Sequence, residues 1–335
     1  MIWLWSGFIL LIILLLALDL GVLHRKAHII KPKEAFAWTG FWIVLALLFN
    51  LFIYYSYEYH WFDIGITVGN KLNGREAALK YFTGYLLEKS LSLDNIFVIA
   101  MIFAYFRVPP VYQHRVLFWG ILGAIVLRGV MIALGAALIE RFSWMTYVFG
   151  IFLILTAVKL LITRHNNLEP GKNPLVKLAQ KIFPLSDSYQ KDHFFTRNNN
   201  RRAITPLFLV LIVVESSDVL FAIDSIPAIF AVTTDPFIVF TSNIFAILGL
   251  RSLYFALAAV IEKFRYLKMS LVYILVYVGV KMILSHHYLI PTVISLTIII
   301  GILITGILAS VYAGKRDTAR LKSPIDDSAN KYIKP

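Results

Sequence analysis

The segment GYLLEKSLSLDNIFVIAMIF, residues 84–103, has the length and apolarity of a membrane span, yet Glu88, Lys89, Asp94 and Asn95 sit near its middle. A second apolar run holds Glu215, Asp218 and Asp224, and Asp19 stands near the end of a third. On insertion scales a charged residue at mid-membrane costs about 2.5–3.5 kcal/mol. Six carboxylates left central and unpaired would cost on the order of 15–20 kcal/mol, more than the whole stability of a typical domain. They must be paired, protonated, hydrated or bound to an ion.

Internal pairing is one answer, because Lys89, Arg128, Lys159, Arg251 and Lys281 also lie in apolar runs. Lys159 and Lys281 are close enough to run ends to snorkel to the interface. Pairing does not account for Glu215 and Asp218. Three residues apart, they share a helix face, and like charges there call for a cation or a shared proton. Glu88 and Asp94 diverge by about 120° on a regular helix, and Glu215 and Asp224 by about 180°. The carboxylates therefore cannot all line one site on two ideal helices. Either a helix breaks, with Pro227 freeing the carbonyl of Ile223, or Asp224 serves a separate position. The expected ligand set for a cation is Glu88, Asp94, Asn95, Glu215, Asp218 and Asp224, with Asp19, Arg128, Asn243 and Arg251 as ion-path or charge-pairing residues. An all-oxygen set, in a chain with no cysteine and no histidine in the interior of an apolar run, suits Mn²⁺, Ca²⁺ or Mg²⁺ over Cu⁺ or Zn²⁺. A proton relay without metal remains the alternative chemistry.

The elements that must hold these residues are membrane helices. The 335 residues are 59% hydrophobic and 15% charged, with mean hydropathy +0.75, against about 25% charged in soluble domains. Nine apolar runs, at roughly 2–23, 36–57, 77–104, 114–139, 144–163, 204–227, 238–261, 267–285 and 289–313, each approach or exceed the about 20 residues needed to cross a bilayer. Lys and Arg concentrate in alternate connections, 24–35, 105–113, 164–203, 262–266 and the tail 314–335. That asymmetry places the N-terminus outside and the C-terminus in the cytoplasm of a bacterial inner membrane. The net charge of +13 is thus a topology signal, and no nucleic-acid partner is expected. The first run lacks a positive n-region and a cleavage site, so it reads as a span and not as a signal peptide. Trp3, Trp5, Trp38, Trp61, Trp119 and Trp144, with the tyrosines of 54–59, fall near run ends, as interfacial belts do. Within loop 164–203, NPLVKLAQKIF spaces Leu175, Leu178 and Ile182 as one helix face, either a helix lying on the membrane surface or a plain connector. No P-loop, nucleophile elbow, HExxH or zinc spacing is present, and neither an enzymatic activity nor a cofactor is expected.

An internal repeat relates the two sides of that loop. SLDNIFVI (92–99) aligns with SSDVLFAI (216–223), LRGVM with LRSLY, and AVKLLI with GVKMIL. Asp94 thereby matches Asp218, Arg128 matches Arg251 and Lys159 matches Lys281, at offsets of 124, 123 and 122 residues. Units of three spans enter the membrane from opposite sides, which is the inverted-repeat architecture of many secondary transporters. The fold expected is an all-α polytopic bundle of about nine transmembrane helices.

At GYLLEKSLSLDNIFV, GAIVLR and VESSDVLFAIDSIPAIFAVTTDPFIVFTSNIFAILGLRSLYF (214–255), the chain resembles the TerC/Alx family of integral membrane proteins, associated with tellurite resistance. The resemblance covers nearly the whole chain and matches at Glu88, Asp94, Asn95, Glu215, Asp218 and Asp224. It implies inverted repeats, manganese as the ion, as in family members implicated in its efflux, and intramembrane acidic residues that carry it, but supplies neither direction nor coupling. Membrane lipid and a divalent metal ion are the expected partners, with protons as a further candidate. Proton antiport is the natural driver, since the same carboxylates can exchange metal for protons. Two rival functions stay open: an exporter of an amino acid or of an oxyanion such as tellurite, and a non-transporting membrane partner that delivers metal to secreted proteins.

Overall fold

The computed structural model describes residues 2–21, 32–162, 173–186, 188–198, 201–258, 266–285, 287–288 and 290–322. Lys and Arg of the 22–31 and 262–265 connections, Pro170, Gly171, His286 and the tail beyond 322 lie outside the described residues. The described chain is helical, with α1 (Ile2–Gly21), α2 (Pro32–Glu58), α3 (Gly74–Tyr105), α4 (Pro110–Arg141), α5 (Met145–Ile162), α6 (Pro174–Ile182), α7 (Pro206–Phe230), α8 (Pro236–Leu248), α9 (Leu250–Ala258), α10 (Leu267–Leu284) and α11 (Thr292–Lys322). A short hairpin of β1 (Phe195–Asn198) and β2 (Arg201–Ile204) joins α6 to α7.

Helix starts follow local chemistry. Proline stands at the first turn of α4, α6, α7 and α8, where its missing N–H would have no intrahelical partner. Asn73 caps α3 by accepting from the Glu76 backbone N–H at 2.8 Å, and Asp235 caps α8 by accepting from those of Phe237 and Ile238.

Polarity is arranged for lipid. Large aliphatic side chains on α1, α2, α4, α5 and α11 point outward, whereas Glu88, Arg128, Asn243 and Arg251 are buried. Among the described residues five helices are long and apolar enough to cross a membrane, or six if α8 and α9 form one bent span. Trp3, Trp61, Trp119 and Trp144 are exposed as a belt requires. Trp5 instead packs on Phe237 and Phe240, and Tyr57 turns inward to donate to Asp235 at 2.7 Å.

Of the two alternatives, a break at Pro227 does not occur. α7 runs unbroken through it, because the proline stands one turn from the helix end and Ala228, Ile229 and Phe230 beyond it stay packed in the core. The break falls at Gly249, where α8 and α9 meet at 42°. A Cβ at Gly249 would lie 3.0 Å from both the Lys89 ammonium and Trp42 Cβ. Lys89 uses that space to donate to the Ala246 carbonyl at 3.1 Å, one of the last-turn carbonyls a helix end leaves without an intrahelical partner.

Packing pairs the helices in a reciprocal way. α3 lies against α8 as α7 lies against α4, α3 and α7 touch each other, and α5 packs along α10. α2 flanks α3 and α9, while α11 covers α10 and α3. Segment 173–205 folds back on the helix ends. The Tyr189 hydroxyl donates to the Phe106 carbonyl at 2.7 Å, Asn173 to Ser216 Oγ at 2.7 Å, and Arg115 pairs with Asp192. α6 buries Val176 and exposes Leu175, Leu178 and Ile182.

Two stability outcomes follow from these ties. Asp235 accepts from Tyr57, the Asn70 N–H at 2.6 Å and two cap N–H groups. Asp235→Ala orphans all four donors and is expected to cost about 3 kcal/mol, read as a lowered Tm in detergent micelles. At Asp192 burial pushes the carboxyl up, but the hydrogen bond and charge of Arg115 outweigh it and hold it below the usual carboxylate range. The stability from this pair is complete above the unfolded value of about 4 and is lost as pH falls through the depressed folded value. Asp192→Asn should therefore lower Tm slightly at pH 6, by an equivalent of less than about 1 kcal/mol for so exposed a pair. Thermal scans at descending pH should show that difference shrink as pH falls below the unfolded value and vanish once it is below the depressed folded one.

Candidate functional site

α3 carries Tyr81, Tyr85, Glu88, Ser92 and Asn95 at alternating spacings of four and three, which places all five on one face. All are buried. The hydroxyls of Tyr81, Tyr85 and Ser92 have no hydrogen-bond partner among the described residues. This polar stripe faces α8 and α7, whereas Asp94 lies off it and is half-buried.

At the stripe's centre an arginine joins three helices. Arg128, on α4 and 1% exposed, forks onto Asp218 of α7, with Nε donating to Oδ2 at 3.1 Å and Nη2 to Oδ1 at 2.9 Å. Its Nη1 pairs with Glu88 of α3 and donates to Ser225 Oγ at 3.2 Å. Asn243 of α8 donates from Nδ2 to the other Glu88 oxygen at 3.1 Å. Bidentate guanidinium–carboxylate geometry is the strong form of this contact. Beside Asp218 a cavity of about 20 Å³, enough for one water, is lined by Asn95, Ser217 and otherwise apolar side chains.

Glu215 shares the Asp218 face, as its spacing requires. Its carboxylate lies directly on Gly123 of α4, where any Cβ would overlap it. Its Oε2 is buried without a hydrogen-bond partner among the described residues, and so is Asn243 Oδ1. Gly123 therefore makes room for the Glu215 carboxyl group.

The remaining candidates stand apart. Asp224 accepts from Thr156 of α5 at 2.9 Å, with Lys159 and Asp94 within electrostatic range, a separate position from the Arg128 clamp. Asp19 of α1 pairs with Arg251 at 2.7 Å, and its carbonyl also accepts from that guanidinium. Among the described residues no three His, Cys, Asp or Glu side chains gather as a ready metal cage. Straight α3 and α7 fan their carboxylates around their axes, and Arg128 fills the space between Glu88 and Asp218. Ser216 and Ser217 bond back to the Val213 carbonyl on their own helix. Sequence reasoning missed Tyr81, Tyr85 and Ser225, although the heptad-like spacing of the first two with Glu88 was legible. It also missed Asp235, whose position before Pro236 is a cap signal.

A helical bundle with an apolar exterior and ion pairs in its interior defines a multi-pass integral membrane protein. The model of the integral membrane protein TerC family matches residues 73–318, and the chain belongs to that family. It is 51% identical over 308 residues, 92% of each chain, to an uncharacterized membrane protein of Myxococcus xanthus. It is 46% identical over 314 residues, 93% of this chain and 95% of the relative, to an Escherichia coli K12 protein named "Putative membrane-bound redox modulator Alx". A Rickettsia bellii membrane protein is 44% identical over 307 residues, 92% of this chain and 96% of its own. No solved structure matches.

The clamp predicts a non-additive series. Removing Arg128 alone leaves two buried carboxylates facing each other and is expected to cost about 3–5 kcal/mol. Removing all three charges, as E88Q/R128M/D218N, is expected to recover most of that loss. Thermal unfolding of the purified variants in micelles reads both; equal losses in the single and triple variants would contradict it.

Proposed function

We propose that this protein is a secondary transporter that exports a hard divalent cation, with Mn²⁺ as its substrate, through the buried carboxylates of α3 and α7. The observation that carries the reading is a surplus of oxygen in the bundle interior. One guanidinium serves both Glu88 and Asp218, while Glu215 Oε2 and Asn243 Oδ1 have no hydrogen-bond partner among the described residues. Carboxylate and amide oxygens short of donors are what a hard cation binds. Asp224, held by Thr156, lies within electrostatic range of Asp94 on the other of these two helices.

The reciprocal packing of α3 with α8 and α7 with α4 is what two inverted three-helix units would produce, and it supports alternating access about the shared α3–α7 contact. With nine spans, the N-terminus lies outside and the C-terminus in the cytoplasm of an inner membrane. An inside-negative potential opposes cation export by about 2.3 kcal/mol per charge per 100 mV, doubled for a divalent ion. Uphill export needs a driver, and proton antiport on the same carboxylates supplies one.

The rival functions draw less support. Arg128 and Arg251 both face carboxylates, which is not how an oxyanion site presents its guanidinium groups. The redox role in the E. coli relative's name cannot rest on thiol chemistry in this chain, which has no cysteine. A non-transporting partner would keep the clamp as a structural lock.

Reconstitution separates these readings. Proteoliposomes holding the purified protein should show Mn²⁺ flux opposed by proton movement, followed with metal- and pH-sensitive dyes, and D94N and D218N should each lower it at least tenfold. No flux above empty liposomes, with the protein verified as folded, would turn the reading toward the non-transporting partner.

A further inference from the structure

We infer that Arg128 is a tethered counter-ion that occupies the transport site between ions, so that the substrate cation and the guanidinium exclude each other at Glu88 and Asp218. The inference rests on the transport reading and adds the group that sets affinity and release.

The geometry gives three reasons. Arg128 has Nε and Nη2 on the two Asp218 oxygens and Nη1 on Glu88, so a cation reaching both carboxylates must take the position the guanidinium now holds. The group is 1% exposed, and a guanidinium does not lose its proton in a protein. Its departure is thus a movement and not a titration. Third, the groups it touches come from both halves of the repeat, Glu88 from α3 and Asp218 and Ser225 from α7. When the guanidinium is home it bridges the two units and neutralises facing carboxylates; when a divalent ion is home the same bridge is made by metal.

A carrier built this way never leaves its two acidic helices uncompensated in a low-dielectric interior. It also binds its ion more weakly than the bare carboxylates would, because each binding event displaces a resident cation, and that competition promotes release. Arg251, at the matched repeat position, pairs with Asp19 of α1, a helix outside the repeat. It is the natural control for loss of a buried arginine as such.

The test is Mn²⁺ binding to the purified full-length protein in micelles, by calorimetry, beside flux in proteoliposomes. Arg128→Met is expected to bind Mn²⁺ at least tenfold more tightly than wild type and to release it slowly enough to lower flux. Its Tm should rise far more on adding Mn²⁺ than that of wild type, while E88Q/R128M loses the gain and Arg251→Met shows none. If Arg128→Met does not fold, Arg128→Lys keeps the charge but cannot fork, and a tightening of about threefold is expected from it. Wild-type flux with no tightening in the folded Arg128 variant overturns the inference and leaves the transport reading standing. Neither binding nor flux in wild type and variant alike overturns both.

Discussion

Charge buried in an apolar bundle has to be compensated within a few ångströms, and in this protein Arg128 does so for two helices at once. Glu88 and Asp218 stand on α3 and α7, each of which would be hard to place in lipid alone. Through one guanidinium from α4, those two helices become mutually dependent. Asn243 brings α8 into the same network. The interior is thus assembled around a polar contact that lipid cannot replace, whereas aliphatic packing between helices has little preference over packing against acyl chains. That difference fits an aliphatic exposed surface and an interior in which a few ion pairs are set within a large apolar core.

The same constraint organises the periphery. Lys89, one residue from Glu88, finds its partner at the Ala246 carbonyl where α8 ends, so the bend at Gly249 and the position of a buried ammonium are one feature. Arg251, just past the bend, is answered by Asp19 from α1, which ties α1 to the bundle. At the other end of α8, Asp235 ties the α8 cap to Tyr57 and the Asn70 backbone. Arg128, Lys89, Arg251 and Asp235 are each a point at which separate segments are held together.

Much of the helical frame was legible from hydropathy, and the prolines and caps that start helices were there to be read. The separation of Asp224 from the Glu215–Asp218 face was legible too, because it follows from 100° per residue alone. The location of the bend was not. Pro227 carries the stronger local signal, but its effect depends on how much chain follows it in the helix. Gly249 carries a weak signal, and the bend there is packed by Trp42 and Lys89, each more than 150 residues away in the chain.

Sequence alone determined that acidic residues lie inside long apolar helices, that Glu215 and Asp218 share a face, and that an arginine stands in each of the similar strings LRGVM and LRSLY. These are properties of composition and helical period, which act over a few residues. Only the tertiary structure decided which arginine meets which carboxylate. Arg128 reaches Glu88 and Asp218, 40 and 90 residues distant, while Arg251 pairs with Asp19, 232 residues distant. Coulombic attraction in a low-dielectric interior is satisfied by whichever opposite charge the helix packing brings within about 3 Å, and that choice is made by the relative placement of helices, which no local pattern encodes.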